Sequence, residues 1–400
     1  MTSTKVFDPF TEEFYNDPHA TYGWMRREAP VYYSTQHDFY ALSRHADVAP
    51  AYKNFETFSS AYGVDLASVR TGREYPVKML ISIDPPEHRL MRSLVNKVFT
   101  PRAIAGLESL VTKQVHRFLD AADPNNFDVV QDFSALFPVE VITGMLGVPE
   151  EYRQQVRKWI DISLHREPGQ IDLSAAGVQA HADMMALYYD LIQQRRARPQ
   201  DDMISDLLAV EVTREDGEQT KLRGSEIAGF ASLLGGAGAE TVAKLIGSAA
   251  VVFAQNPGEW HKVVADADRI PDSIEELLRY DAPVQYNVRR TLKDIELHDV
   301  TIPAGSAVFL LGASANRDPD AWSEPDVFNI DRDRSQAQNI GFGYGIHSCL
   351  GAALARLEGL VALKALREFM PRYEVNWDGC KRVSMQNVSG WSHVPVTVAA

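Results

Sequence analysis

The sequence predicts a mainly α fold with small β-sheets, and three observations carry that prediction. Apolar residues recur every three to four positions through most of the chain from Pro86 onward. Strand-like texture is confined to two short runs near the start and to the stretch between Tyr280 and Gly341. Helices and strands are segregated rather than alternating, so no parallel, doubly wound sheet is expected.

In chain order, strands are expected at 31–33 and Phe39–Leu42, followed by a Gly/Ser/Arg-bearing loop over 59–73. Helices are expected over 86–98, 101–121, 134–146, 149–164, 176–196, 225–255, 258–265, 271–280 and 350–369. The helix at 225–255 opens on Ser225 as N-cap, closes at Asn256-Pro257, and at about 30 residues would run ~45 Å, across the whole molecule. IELHDVTIPAGSAVFLL reads as two strands around a turn at Pro303, Ala304 and Gly305. With 400 residues, 45% hydrophobic content, and neither linker nor repeat, the chain reads as one domain, 1–400, large enough to enclose a porphyrin-sized cofactor.

Composition narrows the partners. A net charge of -14 disfavours nucleic acid and anionic membrane, whose phosphates would repel this surface. The opening MTSTKVFDPFTEEFYNDP has neither a signal-peptide pattern nor a span of ~20 apolar residues, so a cytoplasmic protein without a membrane anchor is expected. Cys349 and Cys380 are the two cysteines, too few for a disulfide framework or a four-cysteine metal site. A metal here must be satisfied by one cysteine. Haem meets that condition, because the porphyrin supplies four ligands and the protein one.

Cys349 is the better prepared of the two. It sits in FGYGIHSCLG at 342–351, with glycines expected to let the backbone approach a flat ligand, and AALARLEGLVALKALREF follows as a helix. Backbone N–H groups and the positive end of that helix favour a thiolate. A lone cysteine is ordinarily a small buried hydrophobe; Cys380, in WDGCKR, keeps that reading.

The run at 342–351 matches Phe-Gly-x-Gly-x-His-x-Cys-x-Gly at all six fixed positions, and on it the chain resembles the cytochrome P-450 family, in its soluble bacterial form. The resemblance extends from about residue 18 to the last strand residues. It implies the family fold, with haem between a long distal helix and the helix after the cysteine loop. It implies heme b (iron protoporphyrin IX) with Cys349 as axial iron ligand and Phe342 and Gly343 in the cofactor loop. It also implies a monomer that takes O2 and two electrons from a ferredoxin served by an NAD(P)H-dependent ferredoxin reductase. No nucleotide-binding fingerprint lies in the chain itself, since GGAGAE falls inside a helix. Docking of the ferredoxin is expected near Lys97, Arg102 and Arg356.

The distal helix carries Gly235, Gly236 and Gly238, each costing a helix interior about 1 kcal/mol against alanine, which suggests a functional reason. Small residues let a ligand plane lie against the helix, and Thr241 can bond back to a carbonyl and open a local kink. AGAET at 237–241 matches the family's Ala-Gly-x-Asp/Glu-Thr, which implies that Glu240 and Thr241 deliver protons during oxygen activation.

Glu276 and Arg279 sit at i, i+3, a spacing that by itself usually marks a surface pair. In the family such a pair joins a later arginine, and Arg332 is the match. His88, Arg92, Arg289 and His347 match propionate-contacting positions, with Arg289 preferred to Arg290. By position, Leu233, Gly236, Ala237, Gln285 and Asn287 face the substrate, with 59–80 as a lid. The implied reaction is hydroxylation or epoxidation of a mostly hydrophobic small molecule such as a steroid, terpenoid, polyketide, fatty acid or aromatic. Two rivals are a peroxide-driven peroxygenase, which would usually lack the acid–alcohol pair, and a non-catalytic haem carrier or sensor, which leaves Thr241 without a role.

Overall fold

The computed structural model describes residues 5–75, 78–96, 99–213, 217 and 219–399. Its organising element is the helix Gly224–Gln255, whose residues are mostly apolar and mostly buried. It packs against Val129–Ser134, Phe137–Leu146, Ala175–Ala197 and Ala352–Phe369, which close round it as the main core. Two stretches, Val129–Leu146 and Gly224–Gln255, are apolar and long enough to cross a membrane by length and composition, yet 67% and 78% of their tested windows are buried inside the fold.

A five-stranded sheet stands beside this helical body in the order Val31–Ser34, Phe39–Leu42, Ala307–Leu310, Asn287–Thr291, Phe58–Ser59. Val308 pairs with Arg289 and Leu310 with Asn287. Because side chains alternate along a strand, Asn287 and Arg289 share one face while Val288 joins the aromatic cluster of Phe7, Tyr22 and Phe309 on the other.

Several boundaries differ from the sequence reading for identifiable reasons. The long helix starts at Gly224, and its cap is Arg223, not Ser225: the Glu226 carboxylate accepts the Arg223 backbone N–H at 2.7 Å. The expected helix 101–121 is broken at Leu107 into Pro101–Gly106 and Glu108–Leu119. The start of 134–146 is a π-helical turn, Val129–Ser134, before Phe137–Leu146. The 59–73 loop holds the short helix Leu66–Arg70, capped by the Asp65 carboxylate. Residues 295–311 form three strands rather than two. Ile295–Leu297 and Val300–Ile302 turn at His298-Asp299, both at positive φ, and Ala307–Leu310 leaves to join the larger sheet.

Candidate active site

The cysteine loop is held from within and from two sides. Within it, the Cys349 N–H donates to the Phe342 carbonyl at 2.8 Å. Gly341 lies so close to the Leu278 carbonyl that a Cβ would come within 2.5 Å of it, and at Gly345 a Cβ would stand 2.7 Å from the Tyr52 carbonyl. These two glycines therefore admit neighbouring protein backbone, which corrects the expectation that the loop's glycines serve the approach of a flat ligand. Gly343 differs: at φ +68°, its Cβ would meet nothing nearer than 3.7 Å, so its side of the loop is open.

Cys349 precedes the helix Ala352–Phe369 by three positions. Burial pushes its thiol up, while the Gly351 backbone N–H and the charges of Arg92 and Arg356 pull it down. Its surface is nonetheless accessible, so the sulfur is walled by protein yet open on one side. A metal cation on that side would favour the thiolate further. Among the described residues, no group of three or more His, Cys, Asp or Glu is arranged to hold a metal ion unaided.

Around the sulfur stand polar groups with few protein partners. Neither ring nitrogen of His88 has a hydrogen-bond partner, nor has His347 Nε2, and these atoms are buried. The two rings lie 4.5 Å apart, centroid to centroid. Burial, then the Arg92 charge, lowers His88 to about 4. His347 is lowered by burial, Arg289, His88 and Arg92. Arg289 is 5% exposed and donates to the Val288 carbonyl. Arg290, in contrast, bonds the Val69 carbonyl and stacks on Tyr62. Two imidazoles and two guanidinium groups with unused donors fit the two carboxylates of a haem, and the residues present therefore suit that group.

The centre of the long helix offers the other wall. Leu233, Gly236, Gly238 and Thr241 are partly exposed and Ala237 is exposed, in the middle of a helix that is otherwise buried except at its two ends. Leu233, Gly236, Ala237 and Thr241 are spaced along one face. The Thr241 hydroxyl donates to the Ala237 carbonyl at 2.9 Å, and the helix continues unbroken through it. Glu240 is 4% exposed, with Lys244 Nζ 2.7 Å from its Oε1.

Glu276 accepts both Arg279 Nε and Nη2, at 2.9 and 2.8 Å, Arg332 Nε at 3.0 Å, and the Asn329 N–H at 3.1 Å. Arg279 also reaches the carbonyls of Asn316 and Pro325. The three side chains thus tie the helix Ile270–Tyr280 to the segment that leads into the cysteine loop.

Two expected substrate anchors are otherwise engaged. Gln285 is buried, donates to the Ala282 carbonyl at 2.7 Å and accepts the Tyr22 hydroxyl at 3.3 Å. It is a structural tie on the aromatic side of the sheet, which corrects its assignment to the substrate pocket. The Asn287 Oδ1 accepts the Tyr52 hydroxyl at 2.9 Å. Of the expected docking residues, Arg102 is exposed and Arg356 is bonded to Glu275 while covering the Phe342 ring. Lys97 lies outside the described residues, as do Pro76 and Val77 of the expected lid.

Sequence reasoning missed Tyr52 and Asp161. Burial and the Glu240 charge raise Asp161, which stands on a helix far away in sequence, and no local spacing signals that influence.

A cysteine flanked by unpartnered imidazoles and guanidinium groups and faced by a small-residue helix with an acid–alcohol pair suits the haem-thiolate oxygenases as a class. The comparisons agree. The family model "Cytochrome P450" matches residues 172–379. "Putative cytochrome P450 123" of Mycobacterium tuberculosis is 41% identical, covering 99% of this chain and 97% of that one. "Vitamin D(3) 25-hydroxylase" of Pseudonocardia autotrophica is 35% identical, covering 99% and 98%. The crystal structure of CYP109E1 from Bacillus megaterium with corticosterone superposes at a TM-score of 0.84, with 31% identity over 97% of this chain and 100% of that one. The chain belongs to the cytochrome P450 family and has its fold, and it is accordingly a monooxygenase.

Proposed function

We propose that this enzyme hydroxylates or epoxidises a mostly hydrophobic small molecule of steroid-like size, with heme b held through Cys349. The observation that carries the cofactor assignment is the set of buried, unpartnered donors of His88 and His347 beside the Cys349 loop. When bound, the thiolate-ligated haem would supply oxygen activation with two electrons.

The remaining work falls to the chain's own residues. His88, Arg92, Arg289 and His347 would bind the two haem carboxylates. Phe342 and Gly343 would shape the loop on the ring's thiolate side. Glu276, Arg279 and Arg332 hold that loop's approach in place. Leu233, Gly236 and Ala237 would orient an apolar substrate, and Glu240 and Thr241 would move protons, the hydroxyl of Thr241 being kept in position by the Ala237 carbonyl.

With Gln285 committed to Ala282 and Tyr22, the pocket is more apolar than the sequence suggested. That favours a rigid hydrocarbon skeleton with few polar groups, in keeping with the vitamin D and corticosterone named for two relatives. Electrons would come from a ferredoxin and its NAD(P)H-dependent reductase, approaching over Arg102 and the Arg356 face. The reading includes a cytoplasmic monomer without nucleic-acid or membrane partners.

The deciding experiment is the absorption spectrum of the reduced, carbon-monoxide-bound protein, for wild type and Cys349→Ser. A thiolate-type shifted Soret band, lost in the variant, is the expected result, and a histidine-type band in wild type would overturn the ligand assignment. A panel of steroids, terpenoids, polyketides, fatty acids and aromatics, scored by displacement of iron-bound water, then tests the substrate class; steroids leaving the spectrum unchanged would sink the steroid-like reading. Turnover with peroxide alone and none with ferredoxin would mark a peroxygenase instead.

A further inference from the structure

A second cavity, of about 530 Å3, opens where the last turn of the long helix meets the start of the helix His19–Glu28 and the paired strands Lys381–Arg382 and Trp391–His393. Val251, Val252 and Gln255 supply its helical wall. Val251 lies ten residues beyond Thr241, so at about 1.5 Å of rise per residue the wall begins about 15 Å from the acid–alcohol pair. No residue assigned above to the cofactor, the protons or the substrate lines it.

Its polar lining is largely unspent. Arg382 lies over the Trp391 ring, Cζ 3.9 Å from the centroid, and Arg382 Nη1 and Trp391 Nε1 are both buried without a hydrogen-bond partner. Arg317, 7% exposed, lies over Tyr280 in the same way, Cζ 3.7 Å from the centroid, and donates its Nε to the Tyr280 carbonyl at 2.7 Å. Its ion-pair partner, Asp326 Oδ1, stands 3.5 Å away on a side chain that is 70% exposed. A guanidinium stacked on a ring keeps its N–H groups in its own plane, free to meet a carboxylate edge-on.

His19 shares the lining, with its Nδ1 buried and unpartnered. Burial, then Arg317, Arg382 and Arg26, pushes its imidazole well below the usual histidine range, so it is neutral in a cationic field. Arg26 is itself committed to the carbonyl and hydroxyl of Ser314. Of the two lining carboxylates, Asp17 accepts the His19 backbone N–H at 2.9 Å, and Asp281 is half-buried just beyond the helix Ile270–Tyr280.

We propose that this cavity is a second ligand site, separate from the Cys349 site, for a small monocarboxylic acid with an apolar body. The carboxylate accepts from the Arg382 guanidinium and the Trp391 indole N–H, Arg317 adds charge, and the body lies on Val251 and Val252. A buried donor left unbonded is a standing cost that a bound acceptor removes. The cavity has the volume of an ordinary small-molecule site. Phosphate is disfavoured, because Asp17 and Asp281 in the same lining repel a dianion and the valine wall gives it nothing apolar to bury.

Benzoate is the probe, with benzamide as its uncharged analogue and inorganic phosphate as the small anion, on the haem-loaded ferrous carbon-monoxide enzyme carrying 13C-labelled histidine. Benzoate should shift the His19 resonance, assigned by its loss in His19→Gln, in a saturable way and raise its pKa, since a bound carboxylate opposes the three arginines. Benzamide and phosphate at equal concentration should leave it unmoved. Arg382→Gln should weaken benzoate binding about tenfold. Benzoate should also slow alkylation of Cys380, which lines the cavity, by iodoacetamide, read by peptide mass. No saturable shift up to about 10 mM, equal shifts with benzamide or phosphate, or unchanged affinity in Arg382→Gln would each overturn the proposal. Should Arg382→Gln fail to fold, Gln255→Glu at an exposed lining position should weaken benzoate several-fold by charge repulsion, and unchanged affinity there refutes the site equally. The ferric Soret band separates the two sites: displacement of iron-bound water by benzoate with His19 unmoved would place benzoate at the Cys349 site alone and refute the second.

Discussion

Gly235 and Tyr188 make a quantitative test of how the long helix is packed. A Cβ at Gly235 would stand 2.3 Å from the Tyr188 hydroxyl oxygen, with the next atom, Cζ, at 3.4 Å. That hydroxyl is buried and has no hydrogen-bond partner. Gly235→Ala should gain about 1 kcal/mol from helix propensity. It should lose about 1–3 kcal/mol from overpacking against a fully buried ring, for a net cost of about 1 kcal/mol. Tyr188→Phe forfeits no hydrogen bond and should be neutral or slightly stabilising. In the double variant the offending atom is gone, the methyl meets Cζ at ordinary contact, and the propensity gain survives. The two substitutions should therefore couple by about 1–3 kcal/mol, the double variant being more stable than Gly235→Ala alone. Urea midpoints of all four proteins at equal haem loading measure the cycle. Additivity within about 0.5 kcal/mol would refute the claim that this hydroxyl is what excludes a side chain at Gly235. A Cβ at the neighbouring Gly236 meets nothing within 4 Å, so Gly236→Ala should raise the urea midpoint while narrowing the pocket, read as weaker ligand-induced spectral shifts.

Other expectations follow from the site. Gly345→Ala would push a Cβ to 2.7 Å from the Tyr52 carbonyl at a position with φ +76°, so haem uptake, titrated by absorbance, should be largely lost; normal uptake would contradict the packing described. Glu276→Ala leaves the buried guanidinium groups of Arg279 and Arg332 without their carboxylate and should cost about 3–5 kcal/mol, seen as loss of folded protein on gel filtration; a fully folded variant would count against the triad's role. His88, held near 4 by burial, is neutral in the folded chain while an unfolded histidine protonates near 6.5. Stability of the haem-free protein is thus unaffected above about pH 6.5 and falls as pH drops from there to 4, by up to about 3 kcal/mol from this residue. His88→Gln should reduce the pH slope of the urea midpoint by one proton, and an unchanged slope would show that His88 is not buried as described.

What the sequence made legible was set by local chemistry. Apolar periodicity located the long helix to within a residue at each end because its whole length is core. The cap was misplaced because a serine is a good local N-cap, whereas the cap lies two residues earlier, with Glu226 reaching back to Arg223. The hairpin at His298-Asp299 was illegible because the pair, though of residue types that tolerate positive φ, lacks the glycine that usually marks a two-residue turn. In the site, Glu240 and Thr241 could be found from adjacent letters, and Lys244 lay within reach as an i+4 partner. Asp161 was not, since the influence of Glu240 on it depends on how two helices pack. Gln285 was misread for the complementary reason: a polar residue beside a strand says nothing of which side of the sheet will claim it.

The seating of the cysteine loop bears on how such a chain can be recombined. Gly345 rests on Tyr52 and Lys53 from the first sixth of the sequence, and Gly341 on the Leu278 carbonyl. The cysteine-bearing turn is thus not a cassette that travels with its own C-terminal segment. A chimera crossing over anywhere between residues 54 and 340 inherits a loop from one parent and at least one of its abutments from the other. Its ability to take up haem should then track the fit of those backbone contacts more closely than overall sequence identity.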